Sequence, residues 1–114
     1  MPIVEIVTNS TAIAATEWSC INNNSTIASC TSTGVIQTFL DVSDMVAADI
    51  LQVRVYERVR AGDAQRIVYE SVLRDAQAEP VFVGPSLILM HGWDFTLKAV
   101  AGTVTVNWSI RQIA

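Results

Sequence analysis

The feature that most constrains this chain is a strict alternation of apolar and polar residues near its C-terminal end. Single polar residues separate Val104, Val106, Trp108 and Ile110. Because successive side chains of a strand point to opposite faces, this pattern predicts a β-strand with one buried side. The preceding run alternates in the same way through Trp93, Phe95, Leu97 and Ala99. Ala101 and Gly102 lie between the two runs, which therefore predict a hairpin with one shared apolar side.

A second hairpin is predicted in the middle of the chain. Residues 50–59 and 64–73 are rich in Val, Ile and Tyr, and turn residues separate them at 60–63. The register stays open, because Glu57 can lie opposite Arg66 or opposite Gln65. Since apolar and polar residues occur on both faces, we expect the outer side of this hairpin to contact another molecule.

The segments around this hairpin predict further strands and one short helical turn. Residues 34–41 alternate between two faces, and residues 81–83 and 86–90 are strand pieces that a Gly-Pro pair interrupts. Residues 44–47 predict a helical turn with Ser43 as its N-cap.

The N-terminal third has a weaker strand pattern. Residues 3–7 form a short β run, residues 22–25 form a loop, and residues 27–30 predict a brief strand. We expect residues 1–33 to supply edge strands and an N-terminal arm that gains order on a partner. Together, about eight short strands predict an all-β fold, a β-sandwich or jelly-roll-like antiparallel domain that spans residues 1–114 as one unit.

The composition indicates a surface with little charge. Charged residues make up 16% of the chain and the mean hydropathy is +0.39, whereas an average soluble domain has about 25% charged residues. A membrane-spanning helix needs about 18 consecutive apolar residues, and the short apolar stretches here exclude one. A lightly charged surface instead suits lasting contact with other subunits, the alternative being a monomer with a Thr-rich β surface.

The charge and the cysteines exclude further classes of function. The net charge is −4 and the basic residues are scattered, so we expect no direct binding of nucleic acid. The N-terminus lacks the basic and apolar regions of a secretion signal, which predicts synthesis and use in the cytoplasm. Cys20 and Cys30 match neither a zinc pattern nor a redox pair, and we expect two thiols that folding does not require.

The sequence contains no recognisable catalytic or cofactor motif. Its one histidine, His91, cannot form a triad or a multi-histidine metal site alone. Asp41, Asp44 and Asp49 cluster near the predicted helical turn but lack the spacing of a calcium loop, so turn capping is expected. We therefore expect no enzyme activity, no cofactor, and no metal site.

Five residues are candidates for an interface. Trp93 and Trp108 belong to apolar faces and are expected in the core, whereas Trp18 lies outside any clean alternation and is expected at an interface. The basic residues of the central hairpin form a mixed-sign face suited to ion pairs between subunits. They are Arg54, Arg58, Arg60 and Arg66.

Three stretches of the chain resemble small structural proteins of tailed-bacteriophage virions. They are LQVRVYERV at 51–59, AQRIVY at 64–69, and HGWDFTLK at 91–98 followed by AGT at 101–103 and WSIRQ at 108–112. The resemblance extends over residues 35–114. It implies a capsid decoration or cement protein that bridges subunits of the major capsid protein as a homo-oligomer, for example a trimer. It also implies synthesis in the cytoplasm of the bacterial host and a final location on the capsid surface of the virion.

Two other functions stay open at this point. A head-to-tail connector or tail component would use a similar fold in rings, and copy number would distinguish it from a cement protein. A carbohydrate-binding module of a host-recognition fibre would expose Trp18 or Trp93 in a groove.

Overall fold

The computed structural model describes residues 2–113, and these residues form nine β-strands and no helix. This range therefore contains no helix that could cross a membrane. The strands are β1 (Ile3–Ile13), β2 (Trp18–Ser19), β3 (Gly34–Asp41), β4 (Ile50–Glu57), β5 (Arg66–Arg74), β6 (Val81–Val83), β7 (Leu87–Leu89), β8 (Asp94–Ala101) and β9 (Val104–Ile113).

The strands form two antiparallel sheets in a sandwich, which confirms the predicted all-β fold. Sheet A has the order β1-β9-β3, and both β6 and β7 pair with the free side of β3. Sheet B has the order β2-β8-β4-β5. Buried side chains alternate with more exposed ones along β3, β4 and β9, as expected for two sheets packed over a shared core.

One cluster of buried apolar side chains fills the space between the sheets. It includes both apolar runs that the sequence assigned to the core, so that part of the prediction is confirmed. Trp93 and Phe95 meet edge to face, with ring centroids 5.8 Å apart. The indole N–H of Trp93 donates to the carbonyl of Ser32 at 2.7 Å, so burial leaves this polar atom paired.

The hairpin predicted for the two C-terminal runs is wrong. β8 pairs with β2 and β4 in sheet B, whereas β9 pairs with β1 and β3 in sheet A. The chain crosses between the sheets at Gly102, which has a φ of +78° and lies against the Asp49 side chain where a Cβ would collide. Two alternating strands can bury their apolar faces in two ways, by pairing side by side in one sheet or by facing each other across the core. Alternation alone does not distinguish these two arrangements.

The central hairpin is confirmed, and its register is resolved. β4 and β5 pair with Glu57 opposite Arg66, the first of the two registers that the sequence left open. A β-bulge between Val55 and Tyr56 shifts the register within the hairpin. Gly62 has a φ of +90° in the connecting turn, a conformation that glycine adopts without strain.

The predicted helical turn at residues 44–47 is replaced by two successive turns. Met45 N–H donates to the Val42 carbonyl at 3.0 Å, and Asp49 N–H donates to the Val46 carbonyl at 3.1 Å. Ser43 does not act as an N-cap; its own N–H donates to the Asp41 carboxylate at 3.0 Å. Aspartate side chains compete for backbone N–H groups in this way, which favours turns over helix.

The N-terminal segment is an edge strand of sheet A from Ile3 to Ile13. β1 pairs with β9 along its length, with one bulge between Glu5 and Val7. The strand predicted at 27–30 is reduced to a single bridge between Cys30 and Trp93. Attachment of residues 1–33 to a partner as an arm stays a prediction, and of that range Met1 lies outside the described residues.

Candidate interaction surface

The described residues bring no group of three or more metal-ligating side chains together. The three aspartates near the predicted helical turn each serve a different backbone group. The Asp41 carboxylate accepts from Ser43 N–H, that of Asp44 accepts from Thr105 N–H at 2.8 Å, and that of Asp49 accepts from Val46 N–H at 2.9 Å. Asp41 and Asp49 therefore fix turns, as expected, whereas Asp44 ties this segment to β9.

A row of apolar side chains crosses the outer face of sheet A. Pairing aligns Ile3 with Ile113, Ile113 with Val35, and Val35 with Ile88, so the row runs through β1, β9, β3 and β7. Ile3 is 73% exposed and Ile88 is 81% exposed, while the two central residues are each 37% exposed. Four aligned β-branched side chains open to solvent form a continuous apolar strip, which we call the apolar row.

The charged groups beside the apolar row, Arg111 and Glu5, are linked to each other through Ser109. The Arg111 guanidinium lies 3.9 Å from the centroid of the Phe39 ring, a cation–π contact. Its Nε donates to the Ser109 hydroxyl at 3.2 Å, and that hydroxyl in turn donates to the Glu5 carboxylate. These contacts hold the Arg111 guanidinium over the Phe39 ring, beside the apolar row.

A shallow groove lies along the apolar row. It has a volume of about 200 Å³ and is lined mainly by apolar atoms of the row and its neighbours. The lining residues are Ile3, Val35, Gln37, Phe39, Ser86, Arg111, Gln112 and Ile113. The groove gives the surface a concave element into which a side chain of a partner fits.

The outer face of sheet B has a different character, because polar groups there bind each other. The Glu17 carboxylate accepts from the Thr96 hydroxyl at 2.6 Å and from the Tyr56 hydroxyl at 2.8 Å. Arg54 Nε donates to Glu70 at 2.6 Å and its Nη1 lies 3.8 Å from Glu17. The pKa of Tyr56 is raised mainly by burial and to a smaller extent by the hydrogen bond to Glu17. The pKa of Arg54 is raised mainly by the hydrogen bond to Glu70. This network ties the β1–β2 connection to sheet B.

The structure places the remaining interface candidates in separate local contacts. Trp18 is half-buried against the core and its indole N–H donates to Asn23 at 3.1 Å. The exposed Arg60 pairs with Asp63 at 3.3 Å across the turn.

Two more candidates lie at the same end of the hairpin. Arg58 donates to the Ser29 hydroxyl at 2.8 Å, and Arg66 is exposed opposite Glu57. No hydrogen bond or ion pair among residues 2–113 joins any of the five candidates to another. Contact with another molecule at these positions stays a prediction.

A buried carboxyl group, at Asp94, was not singled out by the sequence. Asp94 is 0% exposed; its Oδ2 accepts from Ala28 N–H at 2.9 Å, and its Oδ1 is one of the buried polar atoms without a partner in the described part of the chain. Burial raises the pKa of this carboxyl, which the Ala28 N–H opposes. Alternation predicted an exposed face at Asp94, and the loop that follows β2 covers it.

Both cysteines are free, and burial raises the pKa of the Cys20 thiol.

No protein-family model, curated protein or solved structure matches this chain.

Proposed function

We propose that this protein is a structural component of a tailed-phage virion that decorates and cements the capsid, and that it attaches to the major capsid protein through the outer face of sheet A. The single observation that carries the attachment is the apolar row across four strands. Burying an exposed isoleucine is worth about 1.5–3 kcal/mol, so the row offers a substantial driving force for binding. In a free monomer the side chains of the row stay in contact with water, and this burial free energy is not gained.

The phage assignment is supported by the resemblance of residues 51–59, 64–69, 91–98, 101–103 and 108–112 to small virion proteins. The low content of charge agrees with extended contact between subunits. On a capsid lattice many copies act together, so modest individual contacts add up to a strong reinforcement of the shell. The proposed partner is the major capsid protein, and copies of this chain are expected to form a homo-oligomer such as a trimer.

The alternative functions differ in their support. A connector or tail component would use the same surface in a ring, and the copy number per virion distinguishes it from a cement protein. A carbohydrate-binding module has less support, because Trp93 is 0% exposed and the Trp18 indole is half-buried and held by Asn23. Binding to a glycan array would revive that alternative.

The attachment is tested by co-sedimentation of the purified protein with phage heads that lack it. Ile88→Lys places a charge at the most exposed position of the apolar row, and Val100→Lys is the matched control on β8, where the valine is 55% exposed. Both positions are exposed, so we expect little loss of stability from either change. Ile88→Lys should weaken binding about tenfold or more, since the buried isoleucine contact is lost and a charge is desolvated.

The control should bind as the unchanged protein does. Equal occupancy of heads by Ile88→Lys and Val100→Lys would contradict attachment through sheet A. Failure of the unchanged protein to bind heads at all would contradict the cement function itself.

A further inference from the structure

A second cleft, distinct from the apolar row, lies at one end of the sandwich. It is formed where the loop before β3, the turn after β4, and the segment before β8 meet. Its lining includes Ser29, Thr31, Arg58, His91 and Gly92. The cleft therefore gathers a guanidinium, an imidazole and two hydroxyl groups around one space.

The Arg58 side chain contacts two of the segments that form this cleft. Its Nη1 donates to the Ser29 hydroxyl at 2.8 Å, and its backbone N–H donates to the His91 carbonyl at 2.9 Å. Gly92, with a φ of +57°, lets the guanidinium lie close, since a Cβ there would collide with both Arg58 and Ser29. The hydrogen bond to Ser29 and the space beside Gly92 therefore orient the guanidinium in the cleft.

The walls around Arg58 are joined by a single glutamine. Gln65 Nε2 donates to the Ala28 carbonyl at 2.8 Å and to the Gly92 carbonyl at 2.7 Å. It links the loop before β3 to the segment before β8, so the cleft keeps its shape without a ligand. A site that is formed in advance loses less entropy when it binds.

The Arg58 charge has no carboxylate partner within 4.0 Å among residues 2–113. Two neighbouring arginines differ, because Arg54 pairs with Glu70 and Arg60 pairs with Asp63. The adjacent Glu57 is not within ion-pair distance of Arg58; one of its carboxylate oxygens accepts the backbone N–H groups of Met90 and His91 in the cleft wall. A guanidinium has five N–H donors, and the hydrogen bond to Ser29 uses one of them.

We propose that this cleft binds an oxyanion, a carboxylate or phosphate group, through the Arg58 guanidinium, with the hydroxyls of Ser29 and Thr31 and the ring of His91 beside it. Arginine binds both groups through paired N–H donors in a planar fork. The site goes beyond the proposed attachment through sheet A and does not depend on it. The source of the oxyanion is an acidic side chain of another protein or a free or esterified phosphate.

The test is a titration of the folded protein with sodium acetate and, separately, with sodium phosphate, monitored by NMR of the backbone amides and the His91 ring. Sodium chloride at matched ionic strength serves as the reference, since it reports non-specific screening. We expect saturable shifts at residues 29–31 and 90–92 with at least one of the two anions. Saturation by acetate indicates a carboxylate site, and saturation by phosphate alone indicates a phosphate site.

The variant Arg58→Gln should weaken that binding by about tenfold or more, the effect of losing charge-assisted hydrogen bonds. Arg60→Gln is the matched control, because it removes a charge two residues away that is 81% exposed and already paired. Arg58→Lys keeps the charge but not the fork, and it serves in place of Arg58→Gln should that variant not fold. The absence of saturable shifts with both anions, or equal weakening by the Arg58 and Arg60 variants, would overturn the proposal.

Discussion

Replacing Trp108 with alanine removes one of the largest side chains from the space between the two sheets. Trp108 is 2% exposed and lies on β9, between β1 and β3 in the sheet order. Its indole N–H donates to the Cys20 carbonyl at 3.1 Å in a buried hydrogen bond. The change therefore creates a cavity and also leaves a buried carbonyl without its partner.

The expected loss follows from these two effects. Truncation of a buried tryptophan to alanine costs about 3–5 kcal/mol, and an unpaired buried acceptor adds to the cost where the cavity stays dry. We expect the free energy of unfolding to fall by about 4 kcal/mol, a large part of the roughly 5–15 kcal/mol that stabilises a typical domain. Trp108→Phe keeps most of the ring and loses mainly the hydrogen bond, so it should cost about 1–2 kcal/mol.

The assay is urea denaturation followed by far-UV circular dichroism, because tryptophan fluorescence itself changes with the substitution. Thr105→Ala, on the exposed face of the same strand, is the control and should change the free energy of unfolding by less than about 0.5 kcal/mol. The slope of the transition should stay the same for all variants. A loss below about 1 kcal/mol for Trp108→Ala would refute the placement of Trp108 in the shared core.

Two further predictions concern the buried carboxyl and the first strand. Since burial raises the pKa of Asp94 in the folded state, its contribution to stability is fully present below the unfolded-state pKa of about 3.9 and is lost as the pH rises through the higher folded-state pKa. Asp94→Asn should therefore reduce the pH dependence of the melting temperature between pH 4 and 7, and an unchanged profile would contradict the assignment. Deletion of residues 2–8 removes about half of β1 and the Ile3 end of the apolar row. It should therefore lower both the melting temperature of the protein and its occupancy of phage heads. Unchanged values of both would contradict a role of this half-strand in folding and in attachment.

The sequence predicts which side chains of a strand share a face more reliably than it predicts which strands are neighbours. Alternation correctly assigned Trp93 and Trp108 to one core, because it depends only on the period of the strand. It could not tell that β8 and β9 lie in opposite sheets, since facing strands and paired strands show the same pattern. The β4–β5 hairpin was predicted from two runs rich in Val, Ile and Tyr on either side of turn residues. A short connection alone does not identify a hairpin, because only residues 102–103 separate β8 from β9.

The apolar row could not be predicted for a related reason. Ile3 and Ile113 are separated by almost the whole chain, and their alignment depends on the register of β1 against β9. Ile88 lies in an unbroken apolar run, Leu87-Ile88-Leu89, in which alternation does not mark an exposed residue. The burial of Asp94 was missed for another reason. The alternation of β8 places Asp94 on the polar face of the strand, and the loop after β2 covers that face.

The most direct test of the central claim is a cryo-electron microscopy reconstruction of the virion that carries this protein. The account predicts many copies arranged on the capsid lattice, with the outer face of sheet A against the major capsid protein and both Ile3 and Ile88 buried in the contact. A reconstruction in which that face points to solvent, or in which the protein occupies no position on the capsid, would contradict it.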